Sequence, residues 1–473
     1  MAKRPSHVRG PLPQVKRRRA QKQAKPEKAT PSAPLNRNDR QHGQAVVAGD
    51  SRGDYQRDRD RILYSDCFKR LGGVTQVVSS SEGHLFHNRL THSLKVAQVS
   101  RRLAERLLDE DSSLSDELSP DVCETAALAH DLGHPPFGHV AEKCLNQLAV
   151  TSGLSDGFEG NAQTFRILTR LAIHKDSYSG LNLSRACLNA TLKYPWARDR
   201  TGPHSKKFGY YDEDKPAFLF SREGNSAFQD EEKSLEAQIM DLADEITYSV
   251  HDLEDFYRAG MLPVDRLSDE NDSLIGSLFE RWRARDPNNK SLKYFDQSRE
   301  RISEACAFLQ TATSDDASPG SVAQLSILGS FRSGAITRFL SDVTVDKSGP
   351  YFKLKMPDET KHLMNFLKQL IWNFVILNPK LATQQAGQIA LVSRLFNVYK
   401  KALSDGERNI ELLPARFEQS AREVVKVGDS KPRALKAARL AIDVVASLSE
   451  QEAIILDRRT TGVDVGSVVD LIA

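Results

Sequence analysis

Six of the twelve histidines, His84, His87, His92, His130, His134 and His139, fall between residues 84 and 139. Neutral imidazole together with carboxylate suits divalent cations of the zinc, manganese, iron and magnesium group. His130 and Asp131 are adjacent, so at a helix end both can reach one ion, while other helices supply His92 and a distant aspartate. Four such ligands leave coordination positions for water and substrate. Any one of these histidines alone is equally well a buried or surface imidazole with a satisfied hydrogen bond; the set is what points to a site.

These side chains need helices to hold them. Val96, Val99, Leu103 and Leu107 recur at helical spacing after His92, and Val122 to Ala129 form a second helix whose small residues permit close packing. The second helix is expected to end near His130 and Asp131, with Gly133 as its C-terminal cap and Pro135-Pro136 preventing continuation. A third is expected to begin near His139, after Gly138. Ser234 to Arg258 reads as one long helix, with Leu235, Ile239, Leu242, Ile246, Val250 and Leu253 on one side and Asp241, Asp244, Tyr248, His251, Asp252 and Asp255 on the other. A solvent-facing stripe normally mixes in lysine and arginine, whereas this one is acidic with a tyrosine and a histidine. On the helix alone, a solvated acidic face and a face turned to metal or substrate are both open.

Beyond residue 265 the pattern stays mostly helical, as in Leu363 to Leu377, with a polar break at Ser314 to Ser321. A short alternating strand is expected around Pro350 to Lys355, and a terminal helical segment without a chemistry-bearing cluster follows Gly406. No internal repeat, glycine-rich phosphate loop or dinucleotide fingerprint occurs, so nucleotide chemistry here has to use side chains and metal.

The 473 residues carry 66 Lys and Arg against 63 Asp and Glu, unevenly distributed. Residues 1–40 hold 12 basic and 2 acidic side chains, leaving 54 basic and 61 acidic elsewhere. With six prolines and the run Lys16-Arg17-Arg18-Arg19, residues 1–45 are expected to be a disordered basic tail, either a solvated extension or a contact for nucleic-acid phosphates. The acidic body argues against nucleic-acid binding over the whole surface. No stretch approaches the ~18 consecutive apolar residues of a membrane span, so no membrane partner is expected. The N-terminus lacks the apolar core of a secretory signal, and the five cysteines are odd in number and never spaced CxxC. A cytoplasmic protein without a disulfide scaffold or cysteine zinc cluster is expected.

Seven collinear blocks carry a resemblance: Tyr55–Ile62, Thr75–Val77, His87–Leu94, His130-Asp131-Leu132-Gly133-His134-Pro135-Pro136-Phe137-Gly138-His139, Phe158–Gln163, Leu192–Pro195 and Glu236–Ile246. In them the chain resembles the HD-domain deoxynucleoside triphosphate triphosphohydrolases, in particular the bacterial deoxyguanosinetriphosphate triphosphohydrolase-like proteins. The resemblance implies an all-α helical metallohydrolase over residues 46–265. A mostly helical region, 266–473, would complete the fold and an oligomer interface. It further implies hydrolysis of a dNTP to deoxynucleoside and inorganic triphosphate, in a homo-oligomer such as a hexamer. The implied ligands of a divalent ion (Mg, Mn, Zn or similar) are His92, His130, Asp131 and Asp244. Such an ion lowers the pKa of a bound water and polarises the α-phosphate.

By the same resemblance His139 is the general acid for the departing 5′-oxygen, Glu142 orients it, and His134 is a further active-site histidine. Arg89 and Lys193 match phosphate-contacting positions, with Arg57 and Lys207 as further cations. Tyr248 and Asp252 follow Asp244 by four and eight residues, which on a helix aligns metal, phosphate and sugar contacts, Asp252 accepting the 3′-hydroxyl. Gln76 matches a position near the sugar or base. The chain departs from the family pattern at Gly73-Val74, where a Lys-Thr-like pair is common, and at Val78, where phenylalanine is usual, so base preference is not legible. Two rival functions stand beside this one: an HD phosphohydrolase for another nucleotide phosphoester, and a dNTP-sensing nucleic-acid-binding protein.

Overall fold

The computed structural model describes residues 36–43, 49–76, 87–199, 201–224, 231–314, 318, 320–377, 381–428 and 430–464. The helices that matter for the site are α1 (Asp54–Leu63), α2 (Arg89–Glu110), α3 (Pro120–Ala129), α4 (Gly138–Thr151), α5 (Gly160–Arg166), α6 (Leu235–Thr247) and α7 (Leu253–Arg258). Later come α8 (Val322–Ser341), α9 (Asp358–Ile371), α10 (Leu381–Asp405), α11 (Ser430–Ala446) and α12 (Glu450–Thr460). Among the described residues the only sheet is one antiparallel pair, β1 (Thr344–Asp346) with β2 (Lys353–Lys355), in the register Val345 to Leu354. The protein is all-α, and no described helix is long and apolar enough to cross a membrane.

Two cores hold the site between them. In the first, Val96, Val99 and Leu103 of α2 meet Val122, Ala126 and Ala127 of α3 and Ile239, Met240 and Ile246 of α6. The alanines of α3 let three helices approach closely, and that closeness brings the ends of α2, α3 and α6 to one point. Local signals start these helices where the site needs them: Asn88 caps α2 by accepting from Thr91 N, Ser234 caps α6 by accepting from Ala237 N, and Pro120 occupies the first turn of α3. In the second core, Ala141 and Leu145 of α4 pack with Leu395, Phe396 and Tyr399 of α10, Ala441 and Val444 of α11 and Ala453 of α12.

Three expectations change on inspection of the backbone. The segment from Ser234 to Arg258 is not a uniform α-helix: Tyr248–Asp252 is wound as a π turn between α6 and α7. Such turns interrupt α-helices mostly at functional sites, and a 3.6-residue period does not reveal them. The acidic stripe is also not solvated, because His251, Asp252 and Asp255 are buried. Asp255 accepts from the His87 backbone N–H, and the adjacent Glu254 accepts from Arg332 of α8, so protein donors rather than water meet these carboxylates. Finally, Gly133 is no left-handed cap; the left-handed residues are Phe137 and Gly138. Gly133 is needed for contact, since a Cβ there would stand 2.1 Å from Gly160 O and 2.3 Å from Thr164 N.

Of the expected basic tail, residues 1–35 and 44–45 lie outside the described residues. Asn36–Gly43 lies against the body, where Arg37 donates to the buried carboxyl of Glu236 at 2.6 Å and Arg40 bonds the buried Asp58. The contact at Gly133 makes a prediction. Gly133→Ala should destabilise the fold by about 1–3 kcal/mol or more in denaturant melts, because backbone atoms have to move. Gly276→Ala, at an exposed position of the helix Ser273–Arg285 with nothing within 4 Å of the new Cβ, should be neutral or stabilising by up to ~1 kcal/mol.

Candidate metal centre

At the end of α3 the His130 Nδ1–H donates to the Ala127 carbonyl at 2.6 Å. That bond selects the tautomer whose Nε2 keeps a lone pair. Nε2 is buried and has no hydrogen-bond partner among the described residues. It lies 3.5 Å from Asp131 Oδ1 and 3.6 Å from Asp244 Oδ1. His92, one turn into α2, stands with Nε2 3.1 Å from the same Asp244 oxygen. One ligand atom each from His92, His130 and Asp131 falls within 4.8 Å of the others. An unpartnered buried imidazole nitrogen facing two carboxylates is the arrangement a divalent cation satisfies, and two nitrogens with two oxygens suit the ions expected from the sequence. The residues fit the ion.

Charge balance is built in at each carboxylate. Arg89 donates to Asp131 Oδ2 at 2.6 Å, and Lys193 donates to Asp244 Oδ2 at 2.9 Å while lying 2.8 Å from Asp241. Burial disfavours the ionised form of Asp131 and Asp244, but the Arg89 guanidinium beside the first and the Lys193 ammonium beside the second hold both carboxyls well below the usual range. Asp244 keeps 21% of its side chain exposed, so the cluster opens on its side.

Beyond Asp131 the polar chain continues. His134 Nδ1 is 3.1 Å from Asp131 Oδ1, and its ring meets His139 edge-on with centroids 5.5 Å apart. Burial, reinforced by Arg89, pushes the His134 imidazole down to about 4, so it is neutral near pH 7. His139, with 65% of its side chain exposed at the start of α4, shares its Nδ1 with Glu142 Oε2 at 2.8 Å. Lys207 joins the pair from the other side, donating to Glu142 Oε1 at 3.1 Å and to Glu159 Oε1 at 2.7 Å. Glu159 also caps α5, accepting from Asn161 N and Ala162 N, and thereby fixes the helix end that rests on Gly133.

The structure therefore brings together His92, His130, Asp131 and Asp244, then His134, His139 and Glu142, and beside them Arg89, Lys193 and Lys207. Asp252 is buried behind His92, with Oδ1 3.8 Å from Nδ1. Tyr248 is half-buried at the start of the π turn, and burial together with the Asp252 and Asp244 charges raises its hydroxyl. Gln76 is half-buried at the end of its described loop, its Oε1 without a hydrogen-bond partner among the described residues. Arg57 is not part of the site; it pairs with Asp50 and Asp54. His84 and Val78 lie outside the described residues. Sequence reasoning missed Asp241 as the second partner of Lys193 and Glu159 as the partner of Lys207. The second was marked only by an acidic residue directly before a helix start.

Comparison with known proteins bears on this geometry. The HD domain model matches residues 89–249, and a phosphohydrolase-associated domain model matches residues 354–459. A deoxyguanosinetriphosphate triphosphohydrolase-like protein of Streptomyces coelicolor is 35% identical over 434 residues, covering 86% of this chain and 92% of that protein. One of Bifidobacterium longum is 34% identical over 441 residues, covering 86% and 82%. One of Corynebacterium glutamicum is 45% identical over 227 residues, but that match spans 47% of this chain and 50% of that protein. The longer alignments carry the likeness past residue 265, well beyond Ile246, where the last of the seven motif blocks ends.

The cluster predicts metal content directly. His130→Ala and Asp131→Asn should lose most of the divalent metal that the unaltered chain retains after dialysis, measured by elemental analysis, with helix content preserved. Asp252→Ala, which removes only the partner behind His92, should weaken metal affinity by about 10- to 100-fold. Unchanged metal content in the first two variants would show that the cluster is not the binding site.

Proposed function

Because the chain belongs to the deoxyguanosinetriphosphate triphosphohydrolase-like family of HD-domain phosphohydrolases, we propose that it hydrolyses deoxynucleoside triphosphates to deoxynucleoside and inorganic triphosphate. The observation that carries this reading is the continuity of the site: the His92, His130, Asp131 and Asp244 cluster leads through His134 to a histidine held by a glutamate. Metal-assisted attack on phosphorus with an alkoxide leaving group needs both parts. Those four residues would hold a divalent ion, which when bound would supply Lewis acidity at the α-phosphate and lower the pKa of a water.

The chain's own residues do the remainder. The bond broken is that between the α-phosphorus and the 5′-oxygen, the bond formed is from water oxygen to the same phosphorus, and the 5′-oxygen must gain a proton. His139 donates it, with Glu142 on Nδ1 fixing the ring so that Nε2 faces the leaving group. Three cations, Arg89, Lys193 and Lys207, sit where a polyphosphate would lie along the cluster, each already paired with a carboxylate. Incoming phosphate shares these cations rather than meeting bare ones, which keeps them in place before substrate arrives. Tyr248 supplies a ring beside the sugar, and Asp252 orients His92 while closing the sugar end of the pocket.

Purified protein should convert a dNTP, or a mixture of the four, to deoxynucleoside and intact triphosphate in the presence of magnesium or manganese, resolved by ion-exchange chromatography. His139→Ala should lower kcat by about 10²- to 10⁴-fold with metal content retained. Stepwise release of orthophosphate would instead assign a different phosphoester, and bound metal with no turnover would favour a sensor.

A further inference from the structure

The turn between α11 and α12 reaches across to the catalytic loop. Glu450, buried in the first turn of α12, accepts two backbone hydrogen bonds at one oxygen, from Thr75 N at 2.8 Å and from Phe137 N at 3.1 Å. Thr75 immediately precedes Gln76. Phe137 has a left-handed φ of 66°, which a bulky side chain rarely adopts, and is followed by Gly138 at 55° and then His139. The backbone that presents the general acid is thus held in an unfavourable conformation by a group more than 300 residues away in the chain.

The same turn is pinned from its other side. Arg70 donates through Nη1 to the Leu448 carbonyl at 3.0 Å and through Nη2 to the carbonyls of Leu132 at 2.7 Å and His134 at 2.9 Å. Gly73 lies against the neighbouring Ser449, and a Cβ at residue 73 would stand 2.9 Å from the Ser449 Cβ. The departure from the family pattern at Gly73 therefore coincides with a close approach of this turn. Both loops that flank the metal cluster, Gly73–Gln76 and Leu132–Gly138, rest on Leu448–Glu450.

We propose that Glu450 is a positioning residue for catalysis: by holding Phe137 N and Thr75 N it fixes the left-handed entry into α4 and so the aim of His139. The catalytic part of this inference rests on His139 acting as proton donor. Loss of the shared acceptor lets Phe137 relax and turns the start of α4, whereas His92 and Asp244 sit on α2 and α6, and His130 and Asp131, directly after α3, are held by the Ala127 carbonyl and by Arg89 and stay. The expected defect is one of proton donation, not of metal or substrate binding.

The test compares Glu450→Leu and Glu450→Gln in the full chain. Glu450→Leu should speed hydrogen exchange in the peptides carrying Phe137 and Thr75, and lower kcat on dNTP at least about tenfold, with KM and metal content near those of the unaltered chain. Hydrolysis of bis(4-nitrophenyl) phosphate should hold its rate, since nitrophenolate leaves without a proton. Glu450→Gln keeps the acceptor oxygen and should restore both exchange and kcat. Equal losses on both substrates, loss of metal, or unchanged exchange at Phe137 would overturn the proposal. If the unaltered chain releases no deoxynucleoside, the functional reading fails by that signal alone, and exchange at Phe137 still decides whether Glu450 braces the loop.

Discussion

Everything at this site is arranged around two carboxylates that must stay ionised where water is scarce. Asp131 and Asp244 face each other's neighbourhood across His130, and an isolated charge in such surroundings is costly enough that it would take up a proton. Each has a dedicated cation, Arg89 on Asp131 and Lys193 on Asp244, and the bonds at 2.6 and 2.9 Å hold the charges in place. Truncating one partner of such a buried pair strands the other charge. That requirement explains why arginine and lysine, whose first evident use is phosphate binding, stand so close to metal ligands. They keep the acids deprotonated before any ion or substrate arrives.

The second constraint is mechanical. The expected metal ligands come from α2, α6 and the turn that ends α3, all in the first core, whereas His139 and Glu142 sit on α4, whose apolar side belongs to the second core with α10, α11 and α12. The relation between the expected ion site and the proposed proton donor is therefore set by how the two cores meet. Buried ion pairs fix that junction: Arg166 of α5 pairs with Asp443 of α11 at 2.9 Å, and Gln163 donates to the same carboxylate at 3.0 Å. The region matched by the phosphohydrolase-associated model is thus tied through Asp443 to the helix that rests on Gly133, although it contributes none of the expected ligands.

Much of this was legible in the sequence because it is local. The apolar spacing of α2 and α6, the stop at Pro135-Pro136 and the density of histidines all act within a few residues. The expected ligand set came from the family resemblance that the motif blocks carry. What escaped was of two kinds. The π turn at Tyr248–Asp252 and the left-handed Phe137 are backbone departures that a 3.6-residue period does not encode. Contacts such as Glu159 with Lys207, Asp241 with Lys193 and Glu450 with Phe137 depend on how helices are brought together. Gly133 shows the difference well: its place after a helix suggested a cap, and only the packed neighbour, α5, shows that it is there for lack of a side chain.

The account stands or falls on which bond is cut and at which atom water attacks. Hydrolysis of a dNTP by the intact protein in ¹⁸O-labelled water, with products resolved by mass spectrometry, answers both questions. Attack at the α-phosphorus with protonation of the 5′-oxygen places one labelled oxygen in the inorganic triphosphate and none in the deoxynucleoside. Label in the deoxynucleoside 5′-hydroxyl, or in released orthophosphate, would contradict it.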